Sequence, residues 1–242
     1  MGCEGARMTL ADTANLHTFG EAIQFIGDHP GFLAQKALEQ LELSGAALAI
    51  AIVVALPLGL VLGHFHRGSG IAIGTSIIGR ALPSLVLIAA FLTLLGIGFV
   101  NNMVALAVLG SGPILTNAYE GIDRVDKDVV ESARGMGLTG GQIVRRIELP
   151  LAIPLVFAGI RIAAVTIVAT APIAAIAGGG GLGDVIVNQA SYRLSGVIAA
   201  SLCVMALSAL VFVALAGVQI GVTPRGLRST SVTNDHSRKE LQ

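Results

Sequence analysis

The sequence predicts an all-α, polytopic membrane protein with five transmembrane helices. Its 242 residues are 54% hydrophobic and only 12% charged, about half the charged fraction of a soluble domain. Mean hydropathy is +0.81. Several uncharged stretches are long enough to cross a hydrocarbon core of about 30 Å, and one long polar island, residues 121–150, interrupts them. The composition therefore excludes an ordinary soluble domain.

The first span is predicted at residues 43–63, where no charge occurs. Pro57 predicts a kink in this helix, and Gly59 and Gly63 form a small-xxx-small pair that favours close packing on a neighbour. Residues 1–42 are mixed and polar and form an N-terminal segment, which the lysine and arginine count below makes extracytoplasmic. Its apolar residues between 32 and 41 predict a short helix at the membrane surface.

The later part of the second span and the whole of the third lie in one uncharged run, residues 81–119. That run is too long for a single helix, and Gly96-Ile97-Gly98 with Asn101-Asn102 supplies a turn. We therefore predict spans at about 71–96, which contains Arg80 and Pro83, and 102–119. The third span is expected to be broken at Gly110, Gly112 and Pro113.

The fourth and fifth spans are predicted at 149–177 and 194–224, followed by a polar cytoplasmic tail at 225–242. Arg161 is the only charge in the fourth span and lies about 16 Å along the helix from Pro150. A charge at that depth is unfavourable. Arg161 therefore either lines a pathway, makes structural hydrogen bonds or reaches back to the cytoplasmic surface.

Lysine and arginine positions set the orientation. With five spans, the turn after span one, the polar island and the tail share one side and carry ten of these residues, whereas the other side carries three. The positive-inside rule then places the N-terminus outside and the polar island and C-terminus in the cytoplasm.

The polar island is predicted to form two short helices. Gly135 and Gly137 end the first helix, and Thr139 to Gln142 has the spacing of a capping box that begins the second. Pro150 is expected to close the second helix. The first helix carries an apolar stripe suited to docking, formed by Val129, Val130, Ala133 and Met136.

The island also resembles a family signature. Glu131-Ser132-Ala133, three residues, Gly137, nine residues, Ile147, one residue and Leu149-Pro150 resemble the EAA motif of bacterial ABC importer permeases, with Ser132 where Ala is usual. The resemblance implies a type I ABC importer permease whose cytoplasmic loop docks on an ATPase subunit. The alternative is an ordinary amphipathic loop. The implied coupling residues are Val129, Val130, Glu131, Ser132, Ala133, Met136, Gly137, Leu138, Ile147, Leu149 and Pro150.

Further runs, among them Ala81–Leu85, Thr116–Ile122 and Ala158–Arg161, are similar to the osmoprotectant permeases. These import glycine betaine, carnitine, choline or proline betaine. Aromatic cages recognise quaternary ammonium groups, but this chain has no Trp and two Tyr. We therefore expect such a cage on a separate extracytoplasmic binding protein. A methionine-type or other amino-acid or small-molecule importer is the alternative.

The run from Gly178 to Gly183 contains a formal G-x-G-x-x-G, but it follows an apolar helix, so it does not predict a dinucleotide site. We interpret it as a flexible break between spans four and five. In the related permeases this region contributes to the external gate; the alternative is a plain extracellular loop. With Arg161, whose depth in the bilayer makes it a candidate, the pathway or gate candidates are Pro83, Ser84, Arg161, Gly179, Gly180, Gly181, Leu182 and Gly183.

No catalytic, cofactor-binding or metal-ligating constellation is predicted. The sequence contains no P-loop, so if ATP drives this protein, as the resemblance implies, ATP-Mg binds to a partner ATPase chain. A zero net charge gives no electrostatic case for nucleic acid. An ion-coupled carrier or an intramembrane enzyme would need acids or a nucleophile at membrane depth, and neither is found. The implied partners are an ABC ATPase dimer, a second permease subunit (identical or paralogous), an extracytoplasmic binding protein and the lipid bilayer of a bacterial inner membrane.

Overall fold

The computed structural model of the protein describes residues 17–65 and 83–222, together with the isolated Gly70 and Gly74. Most of these residues are helical, and there is no strand among them. Helix α1 spans residues 17–28. The others are α2 (Pro30–His64), α3 (Ser84–Leu95), α4 (Phe99–Asp123), α5 (Lys127–Gly135), α6 (Gly140–Ile143), α7 (Leu149–Thr170), α8 (Leu182–Val187) and α9 (Gln189–Val222). A π-helical turn (Val144–Glu148) precedes α7, and a 3-10 helix (Ala171–Ala177) follows it. The all-α prediction is confirmed.

The chain divides into two compact units. The first contains the described residues of Met1–Ile50, Leu82–Leu109 and Ala164–Val211. Small and branched apolar side chains fill its two cores. One core joins α2, α3, α4 and the 3-10 helix, and the other joins α2, α8 and α9. Alanines recur in these cores, which lets neighbouring helices approach closely.

The second unit contains the described residues of Ala51–Ala81, Gly110–Ala163 and Phe212–Gln242. Close packing of α2 on α4 organises it. A Cβ added at Gly59 would lie 2.7 Å from the backbone oxygen of Leu115, and one at Gly63 would lie 2.7 Å from the Cβ of Ile122. The predicted small-xxx-small packing is therefore confirmed.

The predicted short surface helix between residues 32 and 41 is wrong as a separate element. These residues form the first part of α2, which continues without interruption to His64. No residue between Phe32 and Leu43 opposes the helix, because the intervening residues are good helix formers. The first apolar segment is thus the C-terminal part of a helix of 35 residues.

The predicted break in the third span is also wrong. Helix α4 runs unbroken through Pro113. It begins before Asn101 and Asn102, whose side chains are buried rather than exposed in a turn. The turn consists of Gly96, with φ +77°, and Gly98, with φ +137°. Helices in apolar surroundings tolerate proline because leaving several backbone groups unpaired there is more unfavourable than a local distortion.

Pro150 does not close a second helix in the polar island, contrary to the prediction. Helix α6 passes through the π-helical turn directly into α7. In that turn the N–H of Leu149 donates to the carbonyl of Val144, five residues back. The widened turn accommodates Pro150, which lacks an N–H and would crowd a regular helical turn.

Four helical stretches are long and apolar enough to cross a membrane among the described residues. They are Pro30–His64, Phe99–Asp123, Gly140–Ala177 and Gln189–Val222. The first part of the predicted second span, 71–96, falls largely outside the described residues, and so does Arg80. Its described part is α3, whose 12 residues extend only about 18 Å, so five spans remain a prediction.

Helix α9 contains one discontinuity at its N-terminal end. Arg193 has a φ of +56° and a ψ of 177°, outside helical geometry. Regular helix therefore resumes at Leu194, where the fifth span was predicted to begin. The four residues before Arg193 form a separate turn.

Candidate functional site

Helix α5 is the centre of the candidate coupling site, and its ends are capped by its own sequence. The Asp126 carboxylate accepts a hydrogen bond of 2.9 Å from the N–H of Asp128 at the start of the helix. Asp128 lies in the first turn and Arg134 in the last, so both charges complement the helix dipole. This local agreement explains why nine polar-rich residues between apolar segments are helical.

The apolar stripe predicted on α5 divides into a buried and an exposed part. Val130 is 8% exposed and Ala133 is 1% exposed, because both pack in a core with Val125 and Ile143 of the same unit. These two residues of the stripe therefore dock on the permease itself, and their role in coupling stays a prediction. Val129 and Met136 are 44% and 74% exposed.

Three exposed residues of α5 and its C-cap share one face. Val129, Ser132 and Met136 lie at i, i+3 and i+7, spacings that place side chains together on a helix, and all three are exposed. Glu131 is exposed beside this face and lines a shallow pocket with Lys127 and Arg134. We call Val129, Ser132 and Met136 the open face of α5. An exposed methionine between apolar and small residues is typical of adaptable contact surfaces.

The predicted turn at Gly137 is confirmed. The N–H of Leu138 donates to the carbonyl of Ala133 at 3.2 Å, and Gly137 has a φ of +85°, which together form a Schellman-type helix end. The N–H of Thr139 then donates to Oε1 of Gln142 at 2.9 Å, as the capping-box spacing predicted. Leu138 packs on the core shared by α5 and α6.

The remaining predicted coupling residues lie after this turn. Ile147 is half-buried against the same core. Leu149 and Pro150 are half-buried at the start of α7. None of the three belongs to the open face, so the signature combines surface residues with residues that hold the loop together.

The glycine-rich gate candidate is a tightly packed turn rather than a flexible break. Gly178, Gly180 and Gly181 have φ of +74°, +71° and +76°, values that favour glycine. A Cβ at Gly179 would lie 2.7 Å from the carbonyl of Ala174, and one at Gly183 would lie 2.3 Å from that of Pro172. Leu182 is fully buried in one of the two cores of the first unit.

A charged network holds this turn, and sequence reasoning missed it. Lys36 Nζ lies 2.8 Å from Oε2 of Glu39 and 2.8 Å from Oδ2 of Asp184. Glu39 also accepts a 3.1 Å hydrogen bond from the N–H of Gly181. The i, i+3 spacing of Lys36 and Glu39 was visible in the sequence, but Asp184 is 148 residues from Lys36.

The other pathway candidates occupy separate positions. Pro83 is the exposed residue before α3, and Ser84 is half-buried as its first residue. Arg161 is in the second unit, where its guanidinium carbon lies 4.8 Å from the centre of the Phe212 ring. Its Nε is buried without a protein acceptor among the described residues. The cation–π contact gives Arg161 a structural role in addition to any in transport.

Sequence comparison defines the class of protein. Residues 55–228 match the family model described as binding-protein-dependent transport system inner membrane component. The chain is 39% identical to the glycine betaine/carnitine/choline transport system permease protein OpuCB of Bacillus subtilis, over 86% of this chain and 96% of that protein. It is 38% identical to the choline transport system permease protein OpuBB of the same organism, over 85% of this chain and 95% of OpuBB.

Structural comparison supports the same architecture. An inward-facing structure of the MetNI methionine ABC transporter aligns with a TM-score of 0.72 and 22% identity, covering 81% of this chain and 99% of that one. Because the sequence identity is only 22%, this comparison supports a similar fold and nothing beyond it.

The chain belongs to the family of binding-protein-dependent transport system inner membrane components. It is a permease subunit of an ABC importer and a multi-pass protein of the bacterial inner membrane. It is a transport subunit and not itself an enzyme. The family implies three kinds of partner: an ATPase, a substrate-binding protein and a second permease subunit.

Proposed function

We propose that this permease imports betaine-type osmoprotectants, namely glycine betaine, carnitine, choline or proline betaine. The observation that carries the proposal is the similarity to OpuCB, a permease named for glycine betaine, carnitine and choline, over 86% of the chain. The osmoprotectant import permease protein OsmW of Salmonella typhimurium, 29% identical over 86% of the chain, supports the same substrate class.

A methionine or other amino-acid importer is the second candidate. The fold likeness to the MetNI transporter favours it. However, that identity is 22%, well below the 39% with OpuCB. Because the Gly179–Asp184 run is common to methionine-type and osmoprotectant permeases, it does not separate the two candidates.

The proposed assembly contains this permease, a second permease subunit (identical or paralogous), an extracytoplasmic binding protein and an ABC ATPase dimer that holds ATP-Mg. Five spans, with the N-terminus outside and residues 121–150 in the cytoplasm, place the coupling segment on the ATPase side. The open face of α5 and the adjacent Glu131 dock on the ATPase. Val130 and Ala133 support that face from inside the permease.

The proposed external gate includes the turn from Gly179 to Gly183. Its supports are the Lys36–Glu39–Asp184 network and the close backbone contacts described above. A gate must hold one closed arrangement, and a turn tied to α2 by Lys36 and Glu39 meets that requirement. Pro83, Ser84 and Arg161 are the other proposed pathway residues.

Substrate class is tested with the complete importer, purified after co-expression with the neighbouring genes and reconstituted with its binding protein. We expect glycine betaine, choline or carnitine to stimulate ATP hydrolysis and to be imported, with methionine inactive. Stimulation by methionine alone would overturn the substrate class and leave the importer mechanism intact.

The docking role is tested by Glu131→Lys and Met136→Asp. Both side chains are exposed, so membrane insertion should be unchanged, whereas recovery of the ATPase subunit with the permease should fall strongly. Arg124→Ala is the matched control, because the exposed Arg124–Glu120 pair contributes little to stability. Full ATPase recovery with both test variants would contradict the docking proposal.

A further inference from the structure

A buried histidine–carboxylate pair joins the end of α2 to the polar island. Nδ1 of His64 lies 2.8 Å and 3.0 Å from the two carboxylate oxygens of Glu148. The Glu148 side chain is only 1% exposed, and that of His64 is 15% exposed. In either its Nδ1–H neutral form or its imidazolium form, the ring donates to the carboxylate.

The buried carboxylate of Glu148 is stabilised by its hydrogen bond to His64. Removing a charged group from water is unfavourable unless the group is paired and hydrogen-bonded. Taking away one member of a buried pair therefore destabilises the protein much more than replacing both members. Breaking the contact between His64 and Glu148, which are 84 residues apart in the chain, would therefore be strongly unfavourable.

The position of the pair suggests more than stability. Glu148 ends the π-helical turn between α6 and α7, and Pro150 follows two residues later. π-helical turns are uncommon and occur frequently at functional sites. A widened turn beside a proline is also where a helix bends most readily.

His64 lies close to both ends of the segment between the Gly137 turn and α7. Its Nδ1 holds Glu148, and a Cβ added at Gly140 would lie 3.5 Å from its Nε2. Gly140 is the first residue of α6, and Ile143 at its end packs in the α5 core. His64 therefore lies beside both ends of residues 140–148, which we call the α6–π segment and whose Ile143 packs against α5.

We propose that His64 and Glu148 are positioning residues for energy coupling. The pair locks the α6–π segment to α2, so that a displacement of α5 moves α2 and α7 together. Without the pair, the π-helical turn acts as a hinge that absorbs the displacement. This inference rests on the proposed docking of α5 on the ATPase, but it concerns the step after docking.

The rival explanation is that the pair only stabilises the fold. A double replacement distinguishes this explanation from a role in coupling. His64→Leu/Glu148→Leu removes the pair without leaving a buried unpaired charge, so the permease should fold and bind its ATPase. If the pair only stabilises the fold, this double variant transports normally. If the pair positions the coupling segment, the double variant hydrolyses ATP but transports poorly.

The test uses the reconstituted importer with its ATPase and binding protein. The variants are His64→Leu, His64→Asn, the double leucine variant and the exchanged pair His64→Glu/Glu148→His. Each is measured for ATPase recovery, ATP hydrolysis and import of whichever of glycine betaine, choline and carnitine the unaltered complex imports. The informative quantity is substrate imported per ATP hydrolysed.

We expect this ratio to fall about five-fold or more in the double leucine variant, with ATPase recovery unchanged. His64→Asn, which keeps a donor near the position of Nδ1, and the exchanged pair should recover most of it. An unchanged ratio in the double leucine variant would overturn the proposal, even if His64→Leu alone is unstable. Loss of ATPase recovery in Glu131→Lys is a separate result, because it reports docking and not this lock.

Discussion

Gly137 has a backbone conformation that other residues adopt only under strain. Its φ is +85°, yet a Cβ added there would meet nothing within 4 Å. Among the described residues, the requirement for glycine at this position is therefore conformational rather than steric.

Gly137→Ala should lower the free energy of unfolding by about 1–2 kcal/mol, because alanine is strained in the left-handed region. Gly135→Ala is the matched control: Gly135 is the last residue of α5, its Cβ position is also open, and its φ is ordinary. Thermal unfolding of the two purified variants checks this difference. Equal melting temperatures would contradict the conformational explanation.

Arg161 combines a buried Nε with a cation–π contact to Phe212. If its charge belongs to the pathway, Arg161→Leu should reduce import strongly, whereas Phe212→Leu, which removes only the aromatic partner, should reduce it much less. Import and the amount of inserted protein are measured together. Normal import by Arg161→Leu would assign the residue to packing alone.

At the scale of helices, the contact between α2 and α4 depends on two glycines. Gly59→Ala would place a methyl group 2.7 Å from the backbone oxygen of Leu115, and backbone cannot move as a side-chain end can. We expect a loss of about 1–3 kcal/mol, typical of overpacking. Gly45→Ala, in the same helix but with open space at its Cβ, should be neutral or stabilising. Thermal unfolding compares the two, and equal destabilisation would count against helix contact as the cause.

The helices that sequence predicts well are those defined by composition. Hydropathy located the apolar parts of α2, α4, α7 and α9, because a long uncharged run has few alternatives to a membrane helix. Local capping signals likewise predicted the end of α5 and the start of α6. These signals depend on neighbours a few residues apart.

The features that sequence reasoning missed depend on distant contacts. Residues 30–42 looked like a separate polar segment because Lys36 and Glu39 are charged, but Asp184 and Gly181 compensate those charges across the first unit. The polar island continues into α7 through a π-helical turn, which no local sequence pattern predicts. Burial of Val130 and Ala133 likewise required knowing where α6 packs.

For the whole protein, the distribution of lysine and arginine predicts the orientation in the membrane. Ten lysines and arginines lie on the side assigned to the cytoplasm and three on the other, a bias large enough to fix orientation. Ser132, in the coupling segment, and Ser191, before the Arg193 discontinuity, are both exposed and report opposite sides under the five-span topology.

Single cysteines at these two positions, in a chain with Cys3 and Cys203 replaced by serine, test that topology. The permease is expressed without its ATPase, so that docking cannot shield residue 132. A membrane-impermeant maleimide should label Ser191→Cys in intact spheroplasts and Ser132→Cys only after permeabilisation. The reverse pattern would invert the orientation and separate α5 from any cytoplasmic ATPase. Labelling of both positions from outside would instead place an even number of membrane crossings between them and overturn the five-span arrangement.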